Sequence, residues 1–320
     1  MAQPTNTFDS YDSIGNREDL SDIIWDVSPS ETPFLSAIKR TKATSTLHEW
    51  QTDVLTSAGA NAAVEGDEAS AIAITPTVRL NNYTQILRKS VVTTGTQEEI
   101  KKAGRKSEMA YQIAREMKSL KTDIEWAMID GGGTAGIGNA KVAGNATTAR
   151  EMGSIQTYIA TNADVGAGSG AVSSGDGSDT MTAGTARDFT ETILETVLQE
   201  CYTSGGDPKM LFVSPTNKGV VSDFTGGGTH YVDKDDKKLV NTVEVYIGDF
   251  HTLKVVPSRQ LANEVVLAID PNYVACAELR GARIEDLSKT GDSMKKQIIA
   301  ECTLAVLNEK AHGIVADTNG

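Results

Sequence analysis

The segment from Gly131 to Gly136 is the part of the chain that comes nearest to a cofactor-binding motif. Its glycines match the GxGxxG pattern of dinucleotide-binding loops. That chemistry needs a strand before the motif and a helix N-terminus after it, because the helix amides bind the pyrophosphate. Here a long helical pattern precedes the glycines, a polar segment follows them, and no Gly-Lys-Ser/Thr completes a phosphate loop. The pattern therefore predicts a helix stop followed by a flexible loop.

The other reactive side chains do not form a recognisable catalytic or metal-binding pattern. No histidine has a second His, Cys or carboxylate at zinc-ligand spacing; the histidines are His48, His230, His251 and His312. The run from Asp233 to Lys237 is typical of a solvated turn, and Ser214 and Ser222 lack a nucleophile elbow. We therefore predict no catalytic, cofactor-binding or metal-binding residue. A triad assembled from distant residues stays open as an alternative.

The composition favours a protein partner over a nucleic acid or a membrane. The chain has 320 residues, a formal net charge of -13 and a pI near 4.8. Such a chain is repelled by DNA phosphates and anionic lipids unless its basic residues are sorted onto one face. Its cysteines, Cys201, Cys276 and Cys302, form no CxxC pair, which fits a reducing cytosol. Neither a signal peptide nor a membrane span is predicted.

Residues 46–95 are predicted to form a long hairpin. The first strand runs from Thr46 to Val54, a polar Ala/Gly-rich tip extends from Leu55 to Thr75, and the second strand runs from Thr77 to Gly95. At about 3.3 Å per residue the arms would reach roughly 40–60 Å, against a radius of gyration of about 20 Å for a compact domain of this length. An isolated hairpin is marginally stable in water, so a second copy of the chain is the expected support.

Helices are predicted on both sides of the hairpin. Before it, Ser28 to Glu31 reads as a capping box that opens a short helix carrying Phe34, Leu35 and Ile38. After it, a capping box at Thr96 opens a helix that we expect to run to Ile129 with a kink at Gly104. Apolar residues at three- and four-residue spacing give this helix one buried stripe: Met109, Ile113, Met117, Leu120, Ile124 and Ala127/Met128.

The second half of the chain is predicted to be a loop region followed by an α/β lobe. Residues 131–184 are predicted to be the loosest part of the chain. Within them, Asn162 to Gly184 is dominated by Gly, Ser, Ala, Asp and Thr, which is typical of a surface insertion or a disordered loop. A helix capped at Thr185 and further strands and helices then alternate, which predicts a sheet with helices packed on it. A last strand is expected over 297–307.

Trp50 allows two interpretations. Because it lies on the hairpin, it could pack on its own lobe, but the reach of the hairpin favours an anchor into a neighbouring subunit. We therefore predict a set of inter-subunit contact residues on the hairpin and on one loop of the second lobe. The set is Trp50, Leu55, Val64, Val78, Leu80, Tyr83, Asp235 and Lys237.

Several motifs, in this order along nearly the whole chain, resemble the major capsid proteins of tailed bacteriophages. They are Asn16–Ile24, Ser28–Phe34, Thr41–Thr44, His48–Asp53, Glu65–Asp67, Asn82–Gln85, Ala103–Gln112, Ile284–Asp292 and Asn308–Ala316. The resemblance implies the α+β fold of tailed-phage and herpesvirus capsids. In that fold 1–45 would be an N-terminal arm, 46–95 the extended loop, and 96–184 the peripheral domain with its spine helix. Residues 185–280 would be the α/β axial domain, and 281–320 would return to the peripheral domain.

The function implied by the resemblance is self-assembly rather than catalysis. Copies of the chain would form hexamers and pentamers of an icosahedral shell around double-stranded DNA, assembled in the host cytoplasm and without a membrane. The implied partners are a portal, a separate scaffolding protein and, as an option, decoration proteins. Some relatives cross-link a Lys of the extended loop, but no Lys lies between Lys42 and Lys89, so that chemistry is not carried over.

Two other functions stay open at this point. The same fold could form the shell of a bacterial nanocompartment, which neighbouring genes for a cargo enzyme would indicate. A soluble α/β enzyme would instead need a deep pocket with convergent polar groups and a perturbed acid or base.

Overall fold

A computed structural model of the protein describes residues 30–56, 58–66, 68, 73–132, 137–224 and 244–319. The first strands are β1 (Lys39–Lys42), β2 (Leu47–Thr52), β3 (Val78–Tyr83), β4 (Gln85–Thr94), β5 (Ala163–Asp164) and β6 (Met210–Val213). The later strands are β7 (Val245–Ile247), β8 (Thr252–Pro257), β9 (Val266–Ile269), β10 (Val274–Asp286), β11 (Ser293–Val306) and β12 (Gly313–Val315). The helices are α1 (Pro33–Ala37), α2 (Gly95–Glu99), α3 (Glu108–Ile129), α4 (Glu191–Thr203) and α5 (Pro215–Ser222).

One layer of the molecule is a four-stranded sheet in the order β1-β10-β11-β4. Its longest ladders join β11 to β10 and to β4, and the β4 ladder runs from Gln85–Cys302 to Thr94–Ser293. Because side chains alternate along a strand, β4 presents Leu87 and Val91 to the core and its even-numbered residues to solvent. Both β10 and β11 are longer than predicted.

Helix α3 covers the core face of this sheet, as its predicted apolar stripe requires. Met109, Leu120, Ile124, Ala127 and Met128 are buried, while Ile113 and Met117 pack partly buried against the same cluster. The hydrophobic periodicity therefore identified the buried face of this helix correctly.

The predicted extent of that helix, 96–129, is wrong, because two helices separated by an extended segment occupy the range. Ile100 has an extended backbone and Gly104 has φ +72°, so neither can continue the α-helix. A new helix starts at Ser107, whose hydroxyl accepts from the amide of Ala110 at 3.2 Å. Thr94, rather than Thr96, caps α2. Helix α3 spans 22 residues, or about 33 Å, rather than about 50 Å.

The second layer confirms the predicted α/β lobe. Its six-stranded sheet has the order β5-β12-β9-β6-β8-β7 and mixes parallel and antiparallel pairs. A hydrophobic cluster lies between this sheet and α4 and α5. Two strands of this sheet, β5 and β12, lie outside 185–280, the range expected for the axial domain. Strand β10 begins within that range but belongs to the four-stranded sheet. Helix α4 is capped by Thr190 rather than by the predicted Thr185.

The expectation that 131–184 is the loosest part of the chain, with an insertion or disordered loop over 162–184, is wrong for the described residues 137–184. Met152, Ile155, Tyr158 and Met181 are fully buried there. The glycines serve close packing instead of flexibility: Gly177 has φ +78°, and a Cβ at this position would lie 2.4 Å from the Tyr158 ring. A glycine-rich composition therefore reflects tight backbone approach in this segment.

The predicted hairpin is much shorter than its sequence pattern. Strands β2 and β3 pair over six residues, from Leu47–Tyr83 to Thr52–Val78, about 20 Å. The ladder stops at Thr84, and the rest of the predicted second arm is β4, which joins the four-stranded sheet. Before the hairpin, α1 begins at Pro33 after Thr32, not at Ser28, which lies outside the described residues.

Candidate inter-subunit surface

The hairpin ends in a tip that its own subunit leaves uncovered. Every described residue between 53 and 77 is exposed. Large apolar side chains are among them, with exposed fractions of 64% for Val54, 93% for Leu55, 78% for Val64 and 94% for Ile74. Val78, at the start of β3, is 59% exposed. Apolar side chains clustered on one exposed segment indicate a contact surface for another molecule.

The tip is also acidic. Asp53, Glu65 and Glu68 are exposed there, and the sequence has no Lys or Arg between Lys42 and Arg79. The surface that receives this segment should therefore combine apolar side chains with basic ones, since a like charge opposite these carboxylates would be repulsive.

In contrast, the base of the hairpin is fixed by buried hydrogen bonds. The Asn82 side chain is fully buried; its Nδ2 donates to the carbonyls of Gly153 at 3.1 Å and Leu304 at 2.8 Å. Its Oδ1 accepts from the Gly153 amide at 2.9 Å. The Tyr158 hydroxyl donates to the neighbouring Asn81 carbonyl at 2.9 Å. These bonds hold β3 against the 137–184 segment and β11.

A charged cluster pins the junction between β3 and β4. Glu301 is 3% exposed, and its carboxylate pairs with Arg150 and Arg280, each at 2.7 Å. The Thr84 hydroxyl donates to the same carboxylate at 2.9 Å, and Arg150 donates to the Thr84 carbonyl. Because the buried charge is both paired and hydrogen-bonded, the chain direction at Thr84 is fixed. The direction in which the tip leaves the subunit follows from this.

Trp50 belongs to the subunit's own core, so the anchor interpretation is not retained. It is 9% exposed, and its ring centroid lies 5.9 Å from that of Tyr158. Trp50 does not reach a neighbouring subunit because the paired part of the hairpin is short and lies against the 137–184 segment. Packing on the parent subunit was the other interpretation from the sequence.

The other predicted contact residues fall into three groups. Leu55, Val64 and Val78 are exposed on or beside the tip. Leu80 and Tyr83 are half-buried, and Leu80 packs against the subunit's own core. Asp235 and Lys237 lie outside the described residues. Val54 and Ile74 were not among the predicted contact residues, although Val54 directly precedes the predicted tip and Ile74 lies within it.

Among the described residues, the groups considered for chemistry have structural roles. The Ser214 hydroxyl caps α5 by accepting from the Asn217 amide at 3.2 Å. Gly131 and Gly132 adopt φ near +66° at the end of α3, which confirms the predicted helix stop. Gly133 to Gly136 are outside the described residues. No group of three or more His, Cys, Asp or Glu side chains that could hold a metal occurs in the part of the chain that the structure describes.

The buried carboxyl of Glu125 also has a structural role. It is fully buried, and burial raises its pKa to about 7. Its Oε2 accepts from the Leu35 amide at 3.1 Å, at the first turn of α1. Since no side chain of Thr32 caps this helix, Glu125 provides the missing acceptor and attaches α1 to α3. Among the described helices, none is long and apolar enough to cross a bilayer.

Comparisons with known proteins give a consistent result. The family model described as SU10 major capsid protein matches residues 3–319. The major capsid protein of Escherichia phage Phieco32 is 26% identical over 351 positions, covering 100% of this chain and 99% of that protein.

Solved structures agree on the fold. The capsid of a native GTA particle superposes with a TM-score of 0.66 at 14% identity, covering 97% of this chain and 98% of that one. A structure of Phage G gp27 major capsid proteins with gp26 decoration proteins has a TM-score of 0.55 at 10% identity, covering 99% of each chain.

Proposed function

The chain belongs to the SU10 major capsid protein family and is a major capsid protein of a tailed phage, a component of the virion capsid. From this premise we propose that the hairpin tip contacts a neighbouring copy and so links the subunits of hexamers and pentamers in an icosahedral shell. The observation that carries the proposal is the exposure of Leu55, Val64 and Ile74 beyond a rigidly held base. The shell encloses a double-stranded DNA genome without reading its sequence.

The receiving surface that best fits the tip is the solvent face of the four-stranded sheet on a second copy. Ile86 and Val92 on β4 are 46% and 57% exposed on this face, and Arg88 lies between them. Lys295 of β11 is opposite Val92. The apolar side chains match those of the tip, and the cations match its carboxylates.

A second contact is provided by the edge of the six-stranded sheet. Among the residues that the structure describes, strand β7 is the last strand of that sheet, and its Val245 and Ile247 are 51% and 76% exposed. An edge strand with exposed apolar side chains is open to pairing with another chain. Contacts at this edge, together with the predicted contacts of Asp235 and Lys237, would close the ring of subunits around its centre.

The domain assignment follows from the same proposal. Residues 1–45 are the arm, 46–95 the extended loop, 96–184 and 281–320 the peripheral domain with α3 as its spine helix, and 185–280 the axial domain.

A portal and a separate scaffolding protein are the further partners, and assembly takes place in the host cytoplasm. Decoration proteins are a further option, supported by the Phage G capsid structure. The chain is not an enzyme, and the nanocompartment and enzyme alternatives are not favoured.

The test compares one tip variant with one matched control. Leu55→Asp places a charge in the proposed contact, whereas Val172→Asp places it at a residue 41% exposed away from the tip. We expect Val172→Asp to form particles like the unmodified chain and Leu55→Asp to remain as small oligomers, measured by light scattering and electron microscopy. Particles of normal yield and size from Leu55→Asp would overturn the role of the tip. Failure of the unmodified chain to form particles under any salt condition would overturn the shell itself.

A further inference from the structure

The outward face of α3 is basic in a protein that is strongly acidic. Arg115, Lys118 and Lys121 are exposed at three-residue spacing, so they share one face and lie within about 9 Å along the helix axis. None of the three has an ion pair within the described residues. An acidic chain can contact DNA only where its basic residues are grouped on one face, and α3 has this arrangement.

The outward face of α3 is basic because the acidic residues of this helix are buried or paired within the subunit. Glu125 is buried at the start of α1, and Asp123 pairs with Lys89 of β4 at 2.7 Å. Glu108 is buried and pairs with Arg105. Glu116 is half-buried in the groove between α3 and β4. The carboxylates of the helix are thus buried, half-buried or paired within the subunit, while Arg115, Lys118 and Lys121 remain exposed.

The loop before α3 extends the same charge. Lys101 and Lys106 are exposed, whereas Lys102 lies near Glu98 and Arg105 pairs within the subunit. In this loop and in α2, Glu99 is the exposed carboxylate. Five exposed cations therefore lie in the loop before α3 and on α3 itself: Lys101, Lys106, Arg115, Lys118 and Lys121.

We propose that this basic face of α3 is the inner surface of the shell and contacts the phosphate backbone of the packaged DNA. The inference rests on the proposed function, because it takes the enclosed DNA as the partner. Helix α3 covers the side of the four-stranded sheet opposite Ile86 and Val92, the proposed receiving surface for the tip. The two surfaces therefore lie on opposite sides of one layer, which leaves the helix side to face the interior.

Phosphates fit this face better than the acidic tip of a second copy does. The tip presents large apolar side chains that need an apolar counterpart, whereas the exposed apolar residues of α3 just before the cations, Ala110 and Ala114, are small. Trp126, at the far end of the helix, is the large exposed apolar side chain. A polyanion without apolar groups matches small residues and flexible cations, and contacts of this kind read no sequence.

The test measures binding of the unassembled full-length chain to a labelled 30-base-pair DNA by fluorescence anisotropy over a range of salt concentrations. The variant is Arg115→Gln with Lys118→Gln and Lys121→Gln. The control is Lys254→Gln with Arg259→Gln and Lys289→Gln, which makes the same change in net charge at exposed positions elsewhere. We expect the α3 variant to bind at least about tenfold more weakly and to lose about 2 to 3 units of the log–log salt slope. The control should keep both.

Equal losses in both variants, or no DNA binding by the unmodified chain at low salt, would overturn the proposal. A synthetic peptide of residues 53–77 tests the other occupant. If it binds the unmodified chain, and the α3 variant loses the peptide but not the DNA, the face receives a protein segment and the proposal fails. Particle formation by the same variants is measured separately by light scattering. Normal particles from an α3 variant that lacks DNA binding would leave the shell proposal intact.

Discussion

The base and the tip of the hairpin are neighbours in sequence but are held in opposite ways. At the base, Asn82 and Thr84 are fully buried and hydrogen-bonded to the 137–184 segment and to β11. At the tip, all described residues from 53 to 77 are exposed, including Leu55 and Ile74. The difference shows that the subunit fixes where the tip points but does not hold the tip itself. Substitutions at the base should therefore change subunit stability, and substitutions at the tip should change assembly.

The largest effect on stability is expected from Trp50→Ala. Removal of a buried aromatic side chain that packs on Tyr158 should lower the free energy of unfolding by about 4 kcal/mol. Urea unfolding of the unassembled subunit measures the change. Trp126→Ala is the matched control, because Trp126 is 43% exposed and should cost about half as much or less. If Trp50→Ala lowers the free energy of unfolding no more than the control does, Trp50 is not part of the subunit's core and belongs with the exposed tip.

Glu301→Gln should have the next largest effect. It leaves Arg150 and Arg280 without their anion at the β3–β4 junction, and we expect a loss of about 3 kcal/mol in urea unfolding, the lower end for breaking a buried ion pair. Glu285→Gln breaks the more exposed pair with Arg283 and should cost less than about 1 kcal/mol. If the two variants lose similar amounts of unfolding free energy, the ion pairs at the β3–β4 junction stabilise the subunit no more than the exposed pair does.

The attachment of α1 predicts a dependence on pH. Because burial raises the pKa of Glu125 from 4.5 to about 7, the folded chain keeps a proton that the unfolded chain releases between these values. The free energy of unfolding should therefore fall as pH rises from 4.5 to 7, by about 2 kcal/mol from this group. Glu125→Gln should remove this decline in unfolding experiments at pH 5, 6 and 7. The exposed Glu99→Gln is the control, and it should retain the decline.

The smallest effect on stability is expected from deletion of residues 59–66. Shortening an exposed loop changes its closure entropy little, so the free energy of unfolding should stay within about 0.5 kcal/mol. The same deletion should strongly reduce particle formation measured by light scattering. If stability and assembly fall together, the tip is part of the subunit's own packing and the contrast with the base disappears.

The sequence predicted well the features that depend on local patterns. The stripe of α3 was predicted from three- and four-residue spacing, because that period is a property of the helix itself. The glycines after Ile129 predicted the end of the helix for a similarly local reason. The motifs from Asn16 to Ala316 indicated the capsid family, which the family model and the Phieco32 relative confirm.

Features that depend on contacts distant in sequence could not be predicted in this way. The second hairpin arm reads as one continuous strand, but Thr84 divides it, because Glu301 and Arg150 bind that residue from elsewhere in the chain. The glycine-rich 137–184 segment was expected to be loose, whereas its Tyr158 is fully buried and packs against Trp50 of the hairpin. The burial of Trp50 follows from this packing.

The sequence by itself determined the family, the buried face of α3 and the acidic, lysine-free character of the tip. Each of these features depends only on residue types and on their spacing along the chain. Only the tertiary structure decided which carboxylates are buried and which apolar residues remain exposed. It also decided that the predicted second arm of the hairpin divides into β3, which pairs with β2, and β4, which joins the four-stranded sheet. The physical reason is that burial and charge pairing are set by neighbours far away in the chain. The exposed tip and the basic face of α3 are therefore properties of the folded subunit.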